Sequence, residues 1–393
     1  IRAAELGVIT HDAATAAVTE GLPRARRAFP ALAPHLADRL RAMSPLPLVH
    51  RTTIDLDLQA SLEALASTAL IDLPPQATVA LMVADPNSGH VLATVGSAHY
   101  TSDARRGYVD MTQALRSPGS TLKPLVYGMA FSDGMAHPET LLNDRPEDYG
   151  GYAPQNFDGL FRGQVTARYA LQQSLNMPVV ELTQAIGPAR LLTALRQAGV
   201  QAEVPGEAAG LAIALGGVGV SLEGLVQLYG AIARGGTARE LSVVAGEEVA
   251  ALGSGSAGPV QESVKESAQV TSPRLMTPEA AWQVANILAT APRPAGAPNV
   301  PLAFKTGTSH GHRDALALGF DGEHVAGVWV GRADGSPVPG MYGVDVAVPV
   351  LFELFARLGG VQPQPPAPPT LLAVASNAEL PAHLQQFGTR VVQ

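Results

Sequence analysis

Ser120 and Lys123 stand three residues apart in "LRSPGSTLKPLVYG", directly behind Pro118-Gly119. On a helix, residues at i and i+3 share a face, and Pro-Gly punctuates a helix start. A hydroxyl at a helix N-terminus beside an amine can be a nucleophile with its base. The same pair also suits an N-cap serine with a solvated lysine. Serine is a poor nucleophile near neutral pH and needs a base within hydrogen-bond reach. No histidine lies near Ser120 in sequence, whereas Lys123 is one helical turn away. Lysine acts as a base only when neutral, against an ordinary pKa of about 10.4. The chemistry therefore requires burial of Lys123, or a second cation beside it.

Two stretches downstream supply what such a site needs. "QQSLNMP" places Ser174 and Asn176 two apart, so in a loop or extended turn both side chains can face one cleft. "FKTGTS" puts Lys305, Thr306, Gly307 and Thr308 on an expected strand, where the glycine leaves room for a ligand against the backbone. S-x-x-K, S-x-N and K-T-G in this order are the signature set of serine β-lactamases and penicillin-binding proteins.

The likeness extends beyond tripeptides. "RSPGSTLKP", "NFDGLFRGQVTARYALQQSLNMPVV", "KTGTS" followed by "RDALALGF", and "AGVWVGRADG" resemble the transpeptidase domain of bimodular (class A) penicillin-binding proteins, within them the penicillin-binding protein 1C group. The resemblance covers about Arg51 to Gly360. It implies an α+β, penicillin-binding/β-lactamase-like fold, with an antiparallel-rich central sheet and an all-helical lobe. It further implies a D,D-transpeptidase that forms a serine acyl-enzyme with D-Ala-D-Ala stem peptides and is acylated by β-lactams. Cofactors and metals are not expected. Ser120 is then the nucleophile and Lys123 its base. Ser174 bridges Lys123 and Lys305 and relays the proton to the leaving amine. Asn176 holds the substrate's peptide group, and Lys305 with Thr306 binds its terminal carboxylate. The N–H groups of Ser120 and Thr308 form the oxyanion hole. Pro124 lacks the amide that would bond to the Ser120 carbonyl, so the first turn is expected to be irregular.

Residues 1–50 resemble the connector that follows the glycosyltransferase domain in such proteins, residues 51–360 form the transpeptidase domain, and 361–393 read as a Pro-rich linker leading to a small C-terminal domain. The glycosyltransferase and C-terminal domains lie outside this sequence, which reads as an excised or processed piece. Its expected setting is the periplasmic face of the bacterial inner membrane. The parent protein is expected to be membrane-anchored, a glycosyltransferase as well, and a member of cell-wall synthesis complexes.

Rival chemistries leave traces. "ETLLN", Glu139 to Asn143, matches the E-x-x-L-N pattern that positions deacylating water in class A β-lactamases, but it precedes Ser174, and S-L-N lacks the aspartate of S-D-N. Glu139 is read as a surface loop residue. A D,D-carboxypeptidase shares all three motifs and differs in the acceptor. A non-catalytic scaffold would be expected to have lost Lys123, Ser174 or Lys305. "HGHRD", His310 to Asp314, departs from the family, which commonly has an aromatic after KTGTS. Its H-x-H spacing suits a metal, but no third ligand is evident and a solvated loop is expected. Trp329 and Tyr127 lie in apolar runs and read as core.

The elements that position these residues follow from periodicity. The chain has 393 residues, 46% hydrophobic, enough for a large core. A net charge of −8 with no basic block argues against a nucleic-acid partner. Without cysteine there is neither disulfide scaffold nor Cys-ligated zinc, and no apolar run reaches the roughly 18 residues of a membrane span. "RTTIDLDLQASLEALASTAL" predicts a leading strand and a helix from about Leu58. "TVALMVADPNSGHVLATVGS" predicts a hairpin around Pro86-Asn87-Ser88-Gly89. From Ser117 to about Gly235 the pattern is helical, broken by the loop-like "NDRPEDYGGYAPQNFDG". Residues 236–275 read as a mobile insertion. Thr277-Pro278 suits N-cap and N1 of another helix. "PLAFKTGTS", "DALALGF" and "VAGVWVG" predict adjacent antiparallel strands. Early hairpin, central helices and late strands together predict a mixed sheet completed from both ends of the domain.

Overall fold

A computed structural model describes residues 2–19, 31–46, 49–206, 208–245, 272–294 and 296–388. It divides into two compact units, Ile1–Leu32 and Ala33–Gln393. The described part of the first holds two short helices, α1 (Arg2–Glu5) and α2 (His11–Thr19).

In the second unit, five strands form one sheet in the order β2-β1-β7-β6-β5. They are β1 (Ala77–Ala84), β2 (Val91–Val95), β5 (Ala303–Thr308), β6 (Asp314–Phe320) and β7 (Val325–Arg332). The hairpin turn forms as the sequence predicts. Asp85 accepts from Asn87 N at 2.7 Å and from Ser88 Oγ at 2.7 Å, and Gly89 takes the left-handed φ of 77° that the turn requires. The sheet is completed from both ends of the domain, but it is not mixed: every strand pair is antiparallel.

All eight residues of β1 are buried, because both faces of the sheet are covered. Val79, Leu81 and Val83 face α4 (Leu56–Ala69) and the helix Val348–Arg357 that follows the last strand, in a core with Leu62, Leu65, Val328, Val330, Leu351 and Phe355. Ala80, Met82 and Ala84 point the other way, into the helical lobe. That lobe contains α5 (Lys123–Ser132), α6 (Ala167–Gln172), α7 (Asn176–Ile186), α8 (Pro188–Gln197), α9 (Leu222–Ala233) and α10 (Pro278–Ala289). Ahead of these helices, α3 (Pro34–Met43) packs Leu36 and Leu40 against Val244. α5 buries every residue from Lys123 to Phe131 and is the lobe's central helix. Trp329 and Tyr127 are core, as read. α10 is capped as its sequence predicts, with Thr277 accepting from Ala280 N at 3.2 Å.

Two further expectations need correction. The Ser117–Gly235 stretch is not wholly helical. β3 (Leu141–Asp144) and β4 (Gly163–Thr166) pair within it, so Asn143 and Asp144 of the loop-like segment belong to a strand. The leading strand at Arg51 reduces to a single bridge between Thr52 and Val244, and α4 starts at Leu56, where Asp55 caps Leu58 N at 2.9 Å. The insertion is anchored at both ends, by bridges from Thr237 to Arg274 and from Ser242 to His90; its remaining residues, 246–271, lie outside the described residues.

The Pro-rich tail runs back over the same unit. Gln362 N donates to Asp321 Oδ2 at 2.9 Å, Trp282 Nε1 to the Pro365 carbonyl at 3.2 Å, and Phe387 N to the Leu141 carbonyl of β3 at 3.0 Å.

Candidate active site

Ser120 lies in a 3₁₀ turn, Gly119–Leu122, that feeds directly into α5 at Lys123. The irregular first turn expected from Pro124 is what the chain adopts. Thr121 locks it by donating from N and Oγ1 to the Pro118 carbonyl at 3.1 and 2.8 Å, and Tyr229 OH donates to the Thr121 carbonyl at 2.8 Å. The turn presses on β5, backbone to backbone. A Cβ on Gly307 would stand 2.5 Å from the Pro118 carbonyl, and one on Gly119 2.6 Å from the Thr308 carbonyl and 3.0 Å from Thr308 N. Only glycine permits that approach, and Gly119 also holds a φ of 51°.

Lys123 of α5 and Lys305 of β5 both reach Ser174. Ser174 joins α6 to α7 with φ 56°, a left-handed conformation that costs a non-glycine residue on the order of 1 kcal/mol. This aims its hydroxyl and carbonyl together. Lys123 Nζ, fully buried, donates to the Ser174 carbonyl at 2.5 Å, the Leu175 carbonyl at 3.1 Å and Asn176 Oδ1 at 2.6 Å, and lies 3.3 Å from Ser174 Oγ. Lys305 Nζ reaches Ser174 Oγ at 2.9 Å and the Thr306 carbonyl at 3.1 Å.

Burial and the Lys305 cation hold Lys123 well below the usual lysine range, against an opposing pull from the Asp144 carboxylate. Burial brings Lys305 down to about 7. The pair is thus suited to carry one positive charge between two amines near neutral pH. A neutral amine has two N–H donors. The ammonium serves all three acceptors of Lys123; on losing a proton the amine keeps the two short contacts, gives up the longer bond to the Leu175 carbonyl, and frees a lone pair for the Ser174 hydroxyl or for a proton to be abstracted. Lys123 does not bond to Ser120 Oγ; base–nucleophile bonds of this kind often tighten only in the reacting complex.

Ser174 lines a cleft of about 1130 Å³ together with Ser120, Asn176, Thr306, Gly307 and Thr308, and the two buried lysines reach that lining through Ser174. Residues 79–334 match the penicillin binding protein transpeptidase domain. The chain belongs to that family. Among curated proteins, this transpeptidase domain and its flanks are 38% identical over 358 residues to penicillin-binding protein 1C of Escherichia coli, covering 90% of this chain and 44% of that protein. Penicillin-binding protein 1F of Bacillus subtilis is 32% identical over 260 residues, covering 62% of this chain and 34% of that protein. The chain therefore spans less than half the length of either relative. Among solved structures, PonA1 of Mycobacterium tuberculosis in complex with penicillin V superposes with a TM-score of 0.68 at 19% identity, covering 86% of this chain and 96% of that one. Penicillin-binding protein 1A of Haemophilus influenzae gives 0.67 at 16% identity, covering 91% and 74%. These likenesses carry the fold, an α+β penicillin-binding transpeptidase architecture.

Within this transpeptidase domain, Asn176 is held by the protein at both ends of its amide, each end keeping a further hydrogen-bonding site for a substrate. Its Oδ1 accepts from Lys123 and its Nδ2 donates to the Gln155 carbonyl at 2.6 Å, so both ends of the amide are engaged inside the protein. Two residues that sequence reasoning did not single out stand behind it. Asn156 Oδ1 accepts from Asn176 N at 2.7 Å, and Asn156 Nδ2 donates to both oxygens of Asp144, at 2.8 and 2.9 Å. A trace was present, since the family-like stretch "NFDG…SLN" begins at Asn156. Glu139 lies outside the cleft lining and is tied to Arg168 at 2.8 Å. His310 and His312 sit at the cleft, where His312 stacks edge-on with Tyr342 at 4.8 Å. Among the described residues no three His, Asp or Glu side chains are grouped to hold a metal.

Proposed function

We propose that this domain is a serine D,D-transpeptidase that cross-links peptidoglycan stem peptides, with Ser120 as nucleophile, Lys123 as base, and Ser174 and Lys305 as the proton relay. One observation carries the reading: the Ser174 hydroxyl lies between two buried amines of lowered basicity, on the wall of a cleft that also presents Ser120. Ser120 Oγ attacks the carbonyl of the penultimate D-alanine, and its proton passes to Lys123. The C–N bond to the terminal D-alanine then breaks. The leaving amine takes a proton from Ser174, which is refilled from Lys123. An acceptor amine attacks the ester, forms the cross-link and returns the proton to Ser120.

The surroundings support the same reading. β5 ends the sheet with β6 on one side only, so an extended peptide can add along its free edge. The amides of Ser120 and Thr308 are the proposed oxyanion hole, where the turn and β5 come together backbone to backbone. Lys305 and Thr306 suit the substrate's terminal carboxylate. Penicillin V occupies the mycobacterial relative, and a β-lactam would acylate Ser120 here by the same first step. Residues 1–50 and 361–393 are proposed as flanks of a bimodular synthase, whose glycosyltransferase and membrane anchor would lie elsewhere in the parent, at the periplasmic face of the inner membrane. Among the described residues no helix is long and apolar enough to cross a membrane.

Mass spectrometry after incubation with a penicillin is the test, followed by peptide mapping. One adduct on Ser120, absent from Ser120→Ala, is expected. A stem-peptide donor with an acceptor amine should then give the cross-linked product. An adduct that persists in Ser120→Ala would overturn the assignment, and release of D-alanine without cross-linking would make the enzyme a carboxypeptidase.

A further inference from the structure

We propose that Asp144 and Asn156 are positioning residues for the Lys123 amine, Asn156 through Asn176 and Asp144 both through that clamp and by its charge; the inference rests on the reading of Lys123 as the base. Asp144 is the last residue of β3 and is fully buried. It makes no ion pair with any described residue. Its carboxylate accepts three hydrogen bonds, two from Asn156 Nδ2 and one from Arg162 N at 2.8 Å. Burying an ionised group without a counter-ion is costly even when it is well hydrogen-bonded. A neutral acceptor would hold Asn156 nearly as well, so the charge itself calls for a reason.

Asn156 passes that orientation on. Leu175, at the N-cap of α7, has no side-chain oxygen to offer the helix. The amide of Asn176 therefore goes to Asn156 Oδ1. The neighbouring Gln155 carbonyl takes Asn176 Nδ2. A flipped amide would set Asn176 Oδ1 against that carbonyl, acceptor to acceptor, so the bond also fixes which end of the amide faces Lys123. Adjacent residues Gln155 and Asn156 thus clamp Asn176 by backbone and side chain at once, and Asp144 anchors the clamp.

The charge acts on the amine as well. Lys123 faces Lys305 from β5 and Asp144 from β3; on its own helix the buried Tyr127 hydroxyl lies near Asp144 and near Glu181 of α7. Lys305 disfavours the ammonium and Asp144 favours it, so the two set how readily Lys123 takes up and returns the proton. Position and charge can be separated by mutation. Asp144→Asn removes the charge at constant heavy-atom shape and loosens the clamp as well, because its Nδ2 replaces an oxygen that accepts an N–H bond. Asn156→Ala keeps the charge and removes the clamp.

The experiment is the rate of acylation by a fluorescent penicillin as a function of pH, with peptide mapping and thermal unfolding of each variant. For Asp144→Asn, the rising acid limb should move to lower pH by about half a unit or more, and the plateau should fall. For Asn156→Ala, the plateau should fall at least about tenfold, with no shift of the limb to lower pH. Rates and limbs that superimpose on the parent protein in folded variants overturn this proposal and leave the serine mechanism standing. If Asp144→Asn does not fold, the plateau and limb of Asn156→Ala decide alone. Absence of any adduct in the parent protein overturns the functional reading and this proposal with it.

Discussion

Lys123 and Lys305 share one hydroxyl: Ser174 Oγ lies 3.3 Å from the first amine and 2.9 Å from the second. A serine between two amines is a conduit only while its oxygen is present and its backbone stays in the left-handed region. Ser174→Ala and Ser174→Gly both delete the oxygen, and both should lower acylation by about a hundredfold, in the range seen for loss of a proton-transfer group. They should part in stability. Glycine accepts the φ of 56° without strain, so Ser174→Gly should be more stable than Ser174→Ala by roughly 1 kcal/mol. Denaturant titration beside acylation kinetics checks both halves.

Lys123→Arg tests the base. Guanidinium keeps the charge but does not deprotonate near neutral pH, and it must fit a site where the amine is fully buried. The covalent adduct should collapse to a trace. An arginine variant that acylates at the parental rate would move the base to Ser174 or Lys305.

The pH dependence follows from the direction of the lysine shifts. Acylation should rise with pH as Lys123 loses its proton, on a limb well below 10.5, since burial and the Lys305 cation depress it. Stability should rise with pH too. An unfolded lysine keeps its proton to near 10.5, whereas folded Lys305 releases it near 7. Between those values the unfolded chain binds more protons, so folding gains as pH increases and loses that gain as pH falls through 7. Lys305→Met should flatten the slope of unfolding midpoint against pH over this window; an unchanged slope would show Lys305 titrating in its ordinary range.

Gly307→Ala should injure the site through the backbone. The added methyl would stand 2.5 Å from the Pro118 carbonyl and 2.8 Å from Thr121 Cγ2. Strand and turn must separate, with a loss of about 1–3 kcal/mol, as for other overpacked interiors. Acylation should fall because the Ser120 turn and β5 lose their spacing. A variant with parental acylation and melting temperature would mean the gap is wider than the geometry says.

Trapping by a penicillin should be stoichiometric. Hydrolysis of the ester needs a base-activated water, and Glu139 is held by Arg168, outside the cleft lining. Glu139→Gln should therefore leave the adduct's lifetime unchanged. Sustained turnover of penicillin, abolished in that variant, would convert the domain to a hydrolase.

The three motifs were legible because each is local. Ser120 and Lys123 are one turn apart on any helix, and K-T-G needs only a strand. Ser174 was legible as a residue, but its left-handed backbone was not, since nothing in "QQSLN" distinguishes that turn from an ordinary one. Asp144 and Asn156 escaped for a different reason. They lie 12 residues apart in sequence and meet only because β3 pairs with β4, and four-residue strands give too little alternation to be seen in a polar stretch. The course of the Pro-rich tail was equally hidden. Composition predicts an extended chain but not the carbonyl of Leu141 to which Phe387 bonds.

The sheet's order has a kinetic consequence. β1 pairs with β7 along its whole length, Ala77 opposite Arg332 and Ala84 opposite Val325, with roughly 250 residues between them. At a synthesis rate of about 5–20 residues per second, the β1–β2 hairpin emerges some ten seconds or more before the strand that completes it. During that interval "ATVALMVA" has β2 on one edge but not β7 on the other, and it is uncharged and free of proline. Such a segment is an aggregation hazard while it waits. The helical lobe lies wholly within the gap, and its local contacts can form first. Closure of the sheet is then the late, slow event. Because the K-T-G motif lies on the opposite edge strand, β5 and the Ser120 turn can meet before β1 is seated. The order of assembly places the reactive gap ahead of the core that stabilises it.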